Sequence, residues 1–403
     1  MVGLSSCLGL LLLAGLAWWV LRDDTYTAPV PDSPVASAQP DAAADALAEL
    51  VDAVRSGDIG AARALAPEDD PAAAEALAGV VTNAGAARVE DVDLRYVDEL
   101  GAVGDDGAWS AAVDTTWQFA GFDRTPARTE VRVGFVPDDA GGVAITGVGG
   151  GGRRTPLWLT GPVQVRRDAD SLVLVDGPAA LADRYAALAD RAVPTVHRVL
   201  QGWRPRLVVE VPRSADALDD TLGAEHGRYA AIAAVTSSVD GSLGPRAPVH
   251  VFVNPEVFDR LEPRGARVVM AHEATHVATR AATADVPVWL LEGFADYVAL
   301  RDVRLPLAVT ARQVAQQVRR DGVPDALPGT AEFDTTTPHL GAAYEAAWLA
   351  CRLVAQVAGE DALLAVYRRV SAGEPPGRAL VRETGMTEAE LTTRWQDVLR
   401  GLA

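Results

Sequence analysis

"VVMAHEATHVATR", residues 268–280, carries H-E-x-x-H at His272, Glu273 and His276. In a helix, residues i and i+4 share a face, so both imidazoles can aim at one point. Glu273 lies about 100° round the helix, within reach of a water beside a metal without ligating that metal. Met270, Ala274, Val277 and Ala281 fall on the opposite side and supply an apolar face that can pack inward. The alternative is an ordinary helix carrying two histidines by chance. Metal chemistry needs a third donor, and the rest of the chain has to provide it.

The stretch "PVWLLEGFADYVAL", residues 287–300, follows after a short connection. Pro287 suits a first helical turn, and the apolar residues after it predict a second helix. Glu292 and Asp296 are again i and i+4. Glu292 can add a carboxylate oxygen to the two imidazoles, leaving an open coordination position as catalytic zinc requires. Asp296 can accept a hydrogen bond from the far nitrogen of a ligating histidine and so fix its tautomer. Taken alone, the pair also reads as a solvated helix face.

Together, "HEATH" and "WLLEGFADY" resemble the gluzincin metallopeptidases, and within them the bacterial peptidase MA-like group. The resemblance spans the chain from about Leu172 onward. It implies Zn2+ held by His272, His276 and Glu292, with Asp296 behind a ligand. It further implies peptide hydrolysis by a zinc-activated water, with Glu273 as general base. In such enzymes a later Tyr or His steadies the oxyanion. "PHLGAAYEAAWLACRLV", from Pro338, offers Tyr344 and, second, His339 for that role, core packing being the alternative for Tyr344. "VHVFVNP", before the motif helix, resembles the edge strand on which a peptide substrate is laid by β-addition. Asn254 at its end is a candidate substrate contact, or else a turn-forming residue before Pro255. A non-enzymatic envelope binding or scaffold protein on the same fold is the competing reading.

The 403 residues exceed one typical core, which predicts two folded units plus extensions. Asp and Glu number 55 against 36 Lys and Arg, a net charge of −19, and no basic run offsets that field. Binding to a nucleic-acid backbone is thereby excluded from the expectations. The two cysteines, Cys7 and Cys351, lie far apart in sequence and are poor candidates to pair.

"LSSCLGLLLLAGLAWWVL", residues 4–21, is 18 uncharged residues, just long enough to cross a bilayer, with Trp18 and Trp19 where an interfacial belt would lie. It lacks a basic leader and a well-placed cleavage site. A signal anchor over residues 1–22 is favoured over a cleaved signal peptide. The expectation is a single-pass cell-membrane protein with an extracellular catalytic domain acting on peptides or proteins. Residues 23–40, rich in Pro, Ala, Ser and Asp, read as a flexible linker.

The expected fold class is α+β. Residues 41–167 start with helical periodicity broken at Gly57. Segments with period-two alternation follow, from "ARVEDVDLRYVDEL" to "PLWLTGPVQVRR", which predict an antiparallel sheet. That order resembles the cone-like nuclear-transport-factor-2-like fold. "GVGGGGRR", residues 147–154, lacks the ending of a phosphate loop and reads as a strand connection. Residues 168–403 predict a zincin-type domain, a small mixed sheet followed by mainly helices. His197, His226 and His250 show no ligand spacing and read as structural or exposed.

Overall fold

Alternation of side chains between two cores along the strands explains the layering. In the second half of the chain, Val173, Val175, Val209, Val211, Val251 and Val253 point into one core, shared with the C-terminal helices. Their strand neighbours Leu172, Leu174, Val208 and Phe252 point into another, shared with the N-terminal elements. Successive side chains leave a strand on opposite faces, so this sheet is buried on both sides. The structure is a computed structural model that describes residues 37–334, 337 and 339–402. Residues Ala38–Ala403 form one compact unit. The expected membrane anchor falls outside the described residues, among which no helix is long and apolar enough to cross a membrane.

Three helices come first: α1 (Pro40–Ser56), α2 (Ile59–Ala64) and α3 (Pro71–Ala87). Gly57, at φ 73°, ends α1 where the sequence predicts a break. Asp70 caps α3 through its side chain. Strands β1 (Val89–Glu99), β2 (Trp109–Phe119), β3 (Ala127–Pro137) and β4 (Val143–Val148) form an antiparallel meander in that order. Gly149 to Gly152 all take positive φ in the connection that follows, a conformation suited to glycine.

The stretch "PLWLTGPVQVRR" departs from its expected place in the first sheet. Leu157–Leu159 is a buried 3-10 turn, and β5 (Gln164–Arg167) pairs with β6 (Ser171–Val175) in the second sheet. After β6 come α4 (Ala179–Val199), β7 (Leu207–Val211), α5 (Ala215–Leu222), β8 (Ala234–Ser238) and β9 (Val249–Val253). The sheet order is β5-β6-β7-β9-β8, parallel across β6-β7-β9 and antiparallel at both margins. The fold is thus α+β with two sheets.

This order corrects the expected edge strand. "VHVFV" is β9, flanked on both sides, whereas "AVTSS" forms β8 at the margin. The composition fits in retrospect. The apolar strand takes the interior position, and the strand rich in Thr and Ser tolerates the half-exposed one.

The rest is helical: α6 (Pro255–Phe258), α7 (Pro263–Thr279), α8 (Val288–Leu300), α9 (Leu307–Thr310), α10 (Arg312–Asp321), α11 (Leu340–Ala358), α12 (Glu360–Ser371), α13 (Pro376–Thr384) and α14 (Glu388–Arg400). The motif helix α7 packs on α4, α8 and β8, and α8 packs on α11. A Cβ at Gly293 would run into the backbone of Ala347, so only glycine lets α8 lie this close to α11. Trp395 closes the helical layer, its Nε1 donating to Ala346 O at 2.9 Å.

Candidate metal centre

Helix α7 presents two faces as its sequence predicts. Met270 and Ala274 are fully buried in the core, while His272 and His276 converge on the opposite side. His272 Nε2 lies 2.9 Å from His276 Nε2, 3.1 Å from Glu292 Oε2, and the second imidazole is 3.2 Å from the same oxygen. Two imidazole nitrogens and a carboxylate oxygen therefore form a nearly equilateral triangle in a buried setting. A tetrahedral ion with bonds of about 2.0–2.1 Å needs donors separated by about 3.3 Å. The triangle is within a few tenths of an ångström of that spacing, and its donor set is one that zinc takes. These three residues could hold a metal ion.

The surroundings order the donors. Asp296 Oδ1 is 2.7 Å from His272 Nδ1, so the carboxylate accepts the Nδ1–H hydrogen bond, and in the neutral imidazole Nε2 then carries the lone pair facing the triangle. Burial opposes charge on His272, yet Asp296 and Glu292 outweigh it and hold its pKa well above the usual histidine value. Burial likewise opposes ionisation of Glu292, and the neighbouring His276 and His272 overcome it, keeping that carboxyl ionised far below the usual range. His276 Nδ1 is buried and has no hydrogen-bond partner among the described residues. If the triangle holds zinc, replacing Asp296 with Ala should weaken that binding by about 10–100-fold. Competition with a fluorescent chelator measures it, and unchanged affinity would remove Asp296 from the orienting role.

Glu273 stands beside the triangle, held from a direction the sequence does not announce. Thr236 Oγ1, on β8, donates to Glu273 Oε2 at 2.7 Å and lies 3.2 Å from the Glu273 carbonyl oxygen. Thr236 carries no motif. The only cue is that β8 reads as the more polar strand, and which strand flanks α7 depends on the sheet order.

Tyr344, on α11, is brought to the site. Its ring packs edge-on against the His272 ring at 6.0 Å between centroids, and Phe333 packs on it at 5.0 Å. Burial, then the charges of Glu292, Glu273 and Asp296, push its hydroxyl far above the usual tyrosine value, so it remains a proton donor. His339 is not brought in. It sits at the N-cap of α11 with its ring nitrogens 3.0 and 3.3 Å from Arg320 Nη2. Asn254 is not brought in either. It is fully buried, caps α6 by accepting from Glu256 N at 3.0 Å, and donates to Tyr229 O at 2.9 Å. With no exposed surface and its amide engaged in the cap and with Tyr229, its side chain does not reach a substrate.

No protein-family model and no curated protein matches the chain.

Proposed function

We propose that the chain is a zinc-dependent peptidase of the gluzincin type, anchored to the cell membrane through residues 4–21 with its catalytic part outside. The observation that carries this reading is the convergence of His272 Nε2, His276 Nε2 and Glu292 Oε2 beside an oriented Glu273. Bound in that triangle, Zn2+ supplies a Lewis acid that polarises a carbonyl and acidifies water. The arrangement of helices α1 to α3 followed by a four-stranded meander supports the cone-like reading of the N-terminal part.

The chain's own residues divide the remaining work. Strand β8 has an unpaired margin, on which an extended peptide can add as a further strand. Glu273, its Oε2 fixed by Thr236, takes the proton of the attacking water and passes it to the leaving amine. Tyr344 keeps its phenolic proton and donates to the oxygen that becomes negative in the tetrahedral state. Tyr344→Phe should lower kcat by about 100-fold or more with KM changed far less, because the hydroxyl acts on charge present only in the transition state. A raised KM with kcat unchanged would instead place Tyr344 in uniform substrate binding.

The deciding experiment measures zinc by elemental analysis on the purified full chain and profiles cleavage of a peptide library. One zinc per chain with chelator-sensitive cleavage is the expected result. Absence of bound zinc after reconstitution would overturn the proposal, and zinc without cleavage of any peptide would favour the scaffold reading.

A further inference from the structure

Five arginines far apart in sequence meet around one small cavity. The connection between β2 and β3, the segment before β7, the loop before β9 and the end of α7 bring Arg124, Arg204, Arg206, Arg246 and Arg280 to its wall. Its volume is about 90 Å³. Phe122 and Trp203 supply apolar wall, and the guanidinium of Arg167 lies 4.8 Å over the Phe122 ring.

The cavity has one carboxylate in its lining, and that group is spent elsewhere. Asp123 Oδ1 lies 3.0 Å from His250 Nε2, and Oδ2 accepts from Phe119 N at 2.8 Å. None of the five arginines forms an ion pair among the described residues. This occurs in a chain where acids outnumber bases by 55 to 36. Arg280 is half-buried and donates to Ala247 O at 3.2 Å. Burial, then the charge of Arg124, holds its pKa below the ordinary arginine value. Like charges gathered around one cleft repel, and a bound anion would relieve that cost.

We propose that this cleft binds a phosphate group, either as free phosphate or as the headgroup phosphate of a phospholipid. The guanidinium fork matches phosphate oxygens in pairs, and several forks around one small cavity suit a compact tetrahedral anion better than an extended polyanion. The inference does not depend on the peptidase reading, since none of these residues belongs to the metal triangle.

The test uses the full chain in neutral detergent at low salt. Isothermal titration calorimetry is run with inorganic phosphate and, separately, with monomeric dihexanoylphosphatidylglycerol. Saturable binding of one phosphate per chain, weakening as salt rises, is expected. Arg124→Gln combined with Arg246→Gln should weaken it by at least about tenfold. Both side chains are exposed and unpaired, so the unfolding midpoint in phosphate-free buffer should match the parent's. Arg204→Gln provides an independent variant. Binding of inorganic phosphate assigns the free ligand, and binding of the diester alone assigns the headgroup. No saturable binding of either, or binding that all these variants leave unchanged, overturns the proposal.

Discussion

On the proposed peptidase reading, Glu273→Gln is expected to reduce the turnover of peptide hydrolysis by about 10²–10⁴-fold while zinc content stays at one per chain. The two effects separate because of where the carboxylate sits. Glu273 Oε2 is held by Thr236 and lies outside the triangle of His272, His276 and Glu292 donor atoms. Replacing it with an amide removes the proton acceptor and leaves the donors in place. Glu292→Gln should behave oppositely, losing zinc and activity together, because its charge is part of the donor set. Measuring kcat and metal content on both variants tests the assignment. A Glu273→Gln protein with the parent's turnover would show that another group accepts the proton.

His250→Ala should destabilise the fold by about 3–5 kcal/mol, read as a lower denaturant midpoint. His250 is 1% exposed and lies between two buried carboxylates, with Nδ1 2.6 Å from Glu210 Oε1 and Nε2 3.0 Å from Asp123 Oδ1. Removing the imidazolium leaves two like charges facing each other in the core. Glu210 comes from β7, while Asp123 follows β2 of the first sheet, so the triad ties the two sheets together. Phe119 stacks on the ring at 5.5 Å and Phe252 packs at a tilt. An unchanged midpoint would mean that apolar packing alone joins them.

The same group makes stability depend on pH with a definite sign. Burial opposes the charge on His250, but Asp123 and Glu210 outweigh it and raise its pKa to about 9. A histidine whose folded pKa exceeds its unfolded value of about 6.5 contributes fully below that unfolded value. The contribution fades as pH climbs toward about 9, a loss on the order of 3 kcal/mol. Wild-type stability should therefore drop across that window more than that of the His250→Ala variant. Parallel pH profiles for the two proteins would detach His250 from the effect.

Much of the candidate metal centre is legible in the chain because its geometry is local. His272 with His276, and Glu292 with Asp296, are i and i+4 pairs, and a helix aligns such pairs whatever surrounds it. The glycine in "LLEGF" marks a close helix crossing, though its partner, Ala347, cannot be read from it. The four strands of the first meander are legible for a similar reason, since alternation and turn residues act over a few positions. Asn254 and His339 illustrate the limit. Each has a residue type that could serve a substrate or an oxyanion, and each is occupied by neighbours, Asn254 by a turn and His339 by Arg320.

By itself, the sequence determined the motif helix, the carboxylate helix after it and the α+β character of the chain, all through periodicity and spacing within single elements. Tertiary structure alone decided that β8, not β9, forms the margin beside α7 and lends Thr236 to Glu273. It also decided that His250 is clamped by Asp123 across 127 positions, and that five scattered arginines share one cavity. The physical reason is common to all three. Side-chain period reports which face of an element a residue occupies, whereas the neighbour across that face is set by strand order and by a core packed from distant parts of the chain.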